Sequence, residues 1–102
     1  MKLTLQPNEM IIRAGDSNLR HDDRQVQGKL IVTNQRIYFR SLERNNGHLD
    51  REIGPGEICD LFFFNTLWLI PNGMNIITKK GEEIQLTVKN RNEWAKLITK
   101  MY

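Results

Sequence analysis

Apolar and polar residues alternate with a period of two along most of this chain, and the period changes only near the C-terminus. The clearest case is the stretch 28–39, Gly28-Lys29-Leu30-Ile31-Val32-Thr33-Asn34-Gln35-Arg36-Ile37-Tyr38-Phe39. Two β-branched and aromatic runs flank Asn34-Gln35, a two-residue connection in which Asn34 tolerates the positive φ of a tight hairpin. If Thr33 pairs with Arg36, Val32 lies opposite Ile37 and Leu30 opposite Phe39 on one side of the ribbon. On the other side Ile31 faces Tyr38 and Lys29 faces Arg40. The first side is core and the second is half basic. Like charges directly opposed on neighbouring strands cost roughly a few tenths of a kcal/mol, so Lys29 and Arg40 favour a carboxylate or another anion between them.

The same pattern predicts strands over 10–14, 25–33, 36–42, 49–53 and 57–64, with a polar loop over 15–24 and a turn at 44–48. Gly54-Pro55-Gly56 stops the fourth of these strands. Residues 67–70 either extend the fifth strand or form a short separate one before Pro71-Asn72-Gly73 turns the chain. Residues 74–78 and 82–88 read as a hairpin about Lys79-Lys80-Gly81, with Ile84, Leu86 and Val88 facing inward. Then the period lengthens. Asn90 followed by Glu93 is a capping pair, and Trp94, Leu97, Ile98 and Met101 fall on one helical face. About seven short strands followed by one helix predict a mainly β fold: a strongly bent antiparallel sheet, or open barrel, plugged by the apolar helix face.

At 102 residues the chain suits a single domain spanning 1–102. Fifteen basic against twelve acidic residues leave +3, which favours acidic surfaces without the dense Lys/Arg runs of a dedicated nucleic-acid binder. Cys59 is the only cysteine, so no intramolecular disulfide forms and a reducing, cytoplasmic setting is the default. Gln6-Pro7-Asn8-Glu9 breaks any apolar signal-peptide region, and no apolar run is long enough to span a membrane.

The order Gly28-x-Leu30-x-Val32-Thr33-Asn34-x-Arg36-Ile37-x-Phe39, Glu52-Ile53 leading to Glu57-Ile58, Ile76-x-Thr78-x-x-Gly81 and Asn90-x-x-x-Trp94 resembles the GRAM domain, including its small bacterial members. The resemblance covers the chain from Glu9 to Tyr102. It implies the pleckstrin homology-like fold, a seven-stranded bent barrel capped by the C-terminal helix. It also implies a non-catalytic role, with a phosphoinositide, a membrane surface or another protein as partner. Pleckstrin homology domains commonly cradle a phosphorylated headgroup in the loops at the barrel's open end. They typically carry a basic residue near the end of the first strand and a basic-x-Arg pair on the second. Arg13 matches the first, but Lys29-Leu30-Ile31 lacks the second Arg.

Arg20, Arg24, Lys29, Arg40 and Arg44 are therefore the candidate anion- or lipid-binding residues, with His21 and His48 in the same loops. Asp16, Asp22 and Asp23 sit among them and oppose an anion by Coulomb repulsion. Phe62-Phe63-Phe64 and Leu67-Trp68-Leu69-Ile70 hold more large apolar groups than strict alternation buries easily. Phe63, Leu67, Trp68 and Leu69 are candidates for an exposed patch facing a membrane, a protein partner or a second copy of the chain, unless barrel and helix absorb them. Chemistry for catalysis is thin. Cys59 lies in an apolar strand and reads as a small buried hydrophobe, His21-Asp22-Asp23 reads as a solvated turn, and no metal-ligand spacing, phosphate loop or cofactor motif is present. Tyr38 between Lys29 and Arg40 loosely imitates a base-stacking platform, but one tyrosine is little for single-stranded nucleic acid.

Overall fold

The computed structural model describes residues 4–42, 49–67 and 69–101. Along the chain run β1 (Ile11–His21), β2 (Arg24–Thr33), β3 (Ile37–Ser41), β4 (Arg51–Ile53), a 3-10 turn at Pro55–Glu57, β5 (Ile58–Thr66), β6 (Ile70–Thr78), β7 (Glu83–Val88) and α1 (Arg91–Thr99). All seven strands join one antiparallel sheet in the order β4-β3-β2-β1-β7-β6-β5, which curls into a half-barrel. Its concave face carries the core: Leu19, Leu30, Phe39, Ile58, Ile76 and Leu86 are all buried there, and α1 adds Trp94 and Ile98. Leu97 and Met101 pack against the same cluster, so the helical stripe expected from the sequence faces inward as a unit.

The central hairpin has the expected register, with Gly28↔Ser41, Lys29↔Arg40, Leu30↔Phe39, Ile31↔Tyr38 and Val32↔Ile37. Alternation fixes this register, because a slip of one residue would turn Leu30 and Val32 out to water. Gly28 is required by close packing: a Cβ there would lie 2.4 Å from both the Phe39 ring and the Arg40 carbonyl oxygen. The turn is built differently from the expectation. Asn34 is not among the positive-φ residues. Instead the Thr33 hydroxyl accepts the N–H groups of Gln35 (3.1 Å) and Arg36 (3.0 Å), which satisfies the turn without a left-handed residue.

Three expectations about element boundaries are corrected. Residues 15–21, expected in a polar loop, continue β1: Ser17 and Leu19 are buried while Asp16 and Arg20 face solvent, a period-2 strand whose inward residues are small. Its turn is only Asp22-Asp23, both at positive φ (47° and 66°), between paired His21 and Arg24, which is the signature of a type I′ hairpin. Pro71-Asn72-Gly73 does not turn the chain but runs inside β6, and the reversal comes earlier, near Leu67 at φ 48°. The expected strand over 49–53 is confined to Arg51–Ile53, with Leu49 buried just before it. Asn90 precedes α1 in a left-handed conformation (φ 56°), and its side chain makes no cap; the Glu93 N–H bonds its carbonyl at 2.9 Å instead. The turn expected at 44–48 lies outside the described residues.

Candidate functional site

The Thr33-Asn34-x-Arg36 motif, the most recognisable part of the sequence, organises the N-terminal segment. Asn34 Oδ1 accepts the Met10 N–H at 2.8 Å and its Nδ2 donates to the Asn8 carbonyl at 2.9 Å. Arg36 grips Glu9 with two parallel bonds, Nε to Oε2 at 2.8 Å and Nη2 to Oε1 at 2.9 Å, and Nη1 donates to Glu52. The Glu9 side chain is fully buried, and it also accepts from the Thr33 hydroxyl (2.7 Å) and the Gln6 N–H (2.9 Å). The Arg36 hydrogen bonds, helped by those from Gln6 and Thr33, outweigh burial and hold the Glu9 carboxyl at a pKa of about 2. The motif thus works as an internal clamp whose charges are spent inside the fold. The Glu9 partner was missed in the sequence because twenty-seven positions separate it from Arg36.

The expected basic cluster divides into two groups. Arg20, the last residue but one of β1, lies 3.6 Å from Asp23 and points out beside Gln25, while Arg24 opens β2 opposite His21. Lys29 is ion-paired with Asp16 across the β1–β2 ladder, on the side away from Arg40, so the carboxylate meets Lys29 but does not lie between the two basic residues. That bond lowers the Asp16 pKa. Four residue steps along the strand separate Asp16 from Arg20, roughly 14 Å at about 3.4 Å per residue, so one small anion does not touch both groups. Arg13 points to the helix side of β1, its guanidinium 5.0 Å above the Trp94 ring. Arg44 and His48 lie outside the described residues. Tyr38 is half-buried, 3.4 Å from the Asp50 carboxylate, and burial with that nearby charge raises its pKa; this is a poor surface for stacking a base.

The apolar residues give a more distinctive geometry. The β6–β7 ladder begins at Gly73↔Thr87, whereas β5 and β6 stay paired beyond it to Thr66↔Ile70. Residues 65–67 and 69–72 therefore belong to a two-stranded arm that outruns the sheet. Its tip carries Leu67, 80 % exposed, and Leu69, 85 % exposed, followed by exposed Ile70. Phe62 and Phe63, at 54 % and 44 %, are also exposed, on opposite faces of β5, so barrel and helix do not absorb the cluster. Trp68 lies outside the described residues. Arg91, at the start of α1, pins the base of the arm: Nη1 donates to the Phe64 carbonyl (2.8 Å), the Gly73 carbonyl (3.2 Å) and Asn65 Oδ1 (3.3 Å), with the guanidinium 4.3 Å from the Phe63 ring centre. Phe64 folds over Gly73, where a Cβ would sit 2.4 Å from its ring, which explains why glycine occupies that strand position.

Between the arm and the tip of the β1–β2 hairpin lies a cleft of about 290 Å³, with Arg20 and Gln25 on one wall, Phe64 to Leu67 on the other, and Gln85 and Thr87 as floor. A second cleft of about 900 Å³ runs on the other side of the arm, along β1 towards the start of α1. Cys59 is exposed at the outer edge of β5, contrary to the buried reading, because a bulge between Ile58 and Asp60 turns residues 59 and 60 to solvent. Among the described residues no three His, Cys, Asp or Glu side chains converge as a metal site would require, and no helix is long and apolar enough to cross a membrane.

The fold has counterparts among solved structures. The crystal structure of the C-terminal domain of an unknown protein from Leishmania infantum is similar over 93 % of this chain and 86 % of that one, with a TM-score of 0.77 at 18 % identity. The Vps36 N-terminal PH domain is similar over 96 % and 80 %, with a TM-score of 0.64 at 14 % identity. The chain thus has a pleckstrin homology-like fold. No family model and no curated protein matches its sequence.

Proposed function

We propose that residues 1–102 form a single non-catalytic interaction domain of the GRAM type that associates peripherally with an anionic membrane surface on the cytoplasmic side. The observation that carries this reading is the arm: Leu67 and Leu69 stand exposed at its tip, and Arg20 faces it across a cleft of about 290 Å³. A narrow apolar tip enters the headgroup region without a large flat interface, while neighbouring cations meet lipid phosphates. Arg20 and Arg24 serve that role, and Lys29 and Arg40 add weaker long-range attraction; Arg44, a further candidate from the sequence, lies outside the described residues. The fold supports the reading in general, since pleckstrin homology-like domains often mediate lipid or protein interaction.

Asp22 and Asp23 at the same hairpin tip offset Arg20 and Arg24, so apolar insertion supplies most of the affinity and charge supplies selectivity. Co-sedimentation with phosphatidylcholine vesicles, with and without phosphatidylserine, across a salt series tests this. Leu67→Ser with Leu69→Ser is expected to abolish pelleting. Arg20→Glu with Arg24→Glu is expected to remove only the preference for anionic vesicles. Failure of the unmodified protein to pellet with either vesicle overturns the proposal.

A second reading is a protein-binding or self-associating module, favoured by the position of β5 at the sheet edge with Phe62 and Phe63 exposed. A molar mass that doubles with concentration, and returns to monomer in Phe63→Ser, would select it.

A further inference from the structure

β1 pairs with β2 along its length, but with β7 only at Ser17↔Val88, Asn18↔Thr87 and Leu19↔Leu86. Below Ser17 its second edge has no strand neighbour. The register fixes which backbone groups face that open side. His21 and Arg24 flank a two-residue turn and form a hydrogen-bonded pair; alternation then directs the groups of Leu19, Ser17 and Gly15 to β2. Asn18 uses its outward groups on β7, and Ala14, four pairs further down, points its N–H and C=O away from β2 with no ladder partner among the described residues. Ala14 is exposed. A bulge between Ile11 and Arg13 ends the regular edge, leaving a short segment from Arg13 to Asp16.

This edge lines the cleft of about 900 Å³, whose far wall is Lys89, Asn90 and Trp94 and whose upper rim is Ile70 to Asn72 of the arm. Gly15 packs against Trp94, whose ring a Cβ there would meet at 3.1 Å. Arg13 and Lys89 give the lining its charge, and Asp16, the one acid among the described lining residues, is held by Lys29.

We propose that the β1 edge from Arg13 to Asp16 takes up an extended acidic peptide as an added strand, laid in the cleft between β1 and α1. Backbone bonds to Ala14 would set the peptide's register, and Arg13 and Lys89 would meet its carboxylates. An anionic nucleic-acid strand fits less well, because it cannot use strand-spaced amide groups and Arg13 already covers a face of Trp94. This site is separate from the arm and does not depend on the membrane reading.

The probe is a blocked eight-residue peptide alternating Glu and Val, with a Lys/Val peptide as control, titrated into the full chain and followed by amide NMR and hydrogen exchange. The Glu/Val peptide is expected to saturate, to slow exchange of the Ala14 amide, and to bind at least about tenfold more tightly than the control. Ala14→Pro removes a solvent-facing N–H and leaves the β2 ladder donors in place, so it is expected to fold and to lose binding by about tenfold or more. Undiminished binding to folded Ala14→Pro overturns the proposal. So does an Ala14 amide left unprotected in the saturated unmodified chain, a readout that stands even if the variant does not fold. Equal binding of the two peptides, no binding of either, or protection of Ala14 by self-association alone would overturn it as well.

Discussion

Glu9 is a buried carboxylate that precedes the first strand, and its charge state decides whether Arg36 is properly paired. Its pKa of about 2 lies below the ordinary value of 4.5, so between these limits the unfolded chain binds more protons than the folded one. Stability therefore rises with pH through that window, is fully present above about 4.5, and is lost as pH falls towards 2. Asp16, lowered by Lys29, adds to the same slope. Denaturant midpoints measured from pH 7 down to pH 2.5 are expected to fall for the natural chain. In Glu9→Gln they should start lower at pH 7 and fall less steeply; an unchanged slope would mean that the clamp does not carry the acid sensitivity. The same side chain shows why residue-level chemistry was only partly legible. Arg36 was visible within its motif, but the acid that neutralises it sits in a segment without strand periodicity.

Elements were legible where alternation and turn chemistry agreed. The β2–β3 register, the inward set Ile84, Leu86 and Val88, and the stripe on α1 all follow from period alone. The upper half of β1 did not, because its inward residues, Gly15, Ser17 and Leu19, present too little apolar bulk to mark a strand, and Asp-Asp is an uncommon type I′ pair. Pro71-Asn72-Gly73 carries turn chemistry yet lies in β6, where an arm beyond the sheet needs no ladder N–H from proline and Phe64 needs the space over Gly73. The exposed tip was anticipated as an excess of apolar groups, but the arm that presents them depends on Arg91, a residue the helical pattern assigned no role. Arg91→Ala leaves the Phe64 and Gly73 carbonyls without this donor and is expected to cost about 1 to 2 kcal/mol. Hydrogen exchange and limited proteolysis should quicken first within residues 65–72. Uniform loosening of the whole sheet would show that Arg91 supports the core rather than the arm.

For the molecule as a whole, the two clefts share a boundary. Both border the seam between β1 and β7, one reaching it at Ser17 and Val88 and the other at Arg20 and Gln85. That seam is three residue pairs long, reinforced by the Ser17 hydroxyl donating to the Thr87 carbonyl at 3.0 Å, seventy positions away in sequence. Closing a loop of that length costs about 4 kcal/mol of chain entropy, whereas the hairpins at 22–23 and 34–35 close almost locally. This difference predicts an order in time, with local ribbons forming early and the seam closing late. Ser17→Ala is accordingly expected to speed unfolding and leave the folding rate unchanged in stopped-flow denaturant jumps, whereas slower folding would place the seam in the nucleus. A chain that has formed its hairpins but not its seam possesses neither cleft, so both hollows of the surface are products of the last closure rather than of any single ribbon.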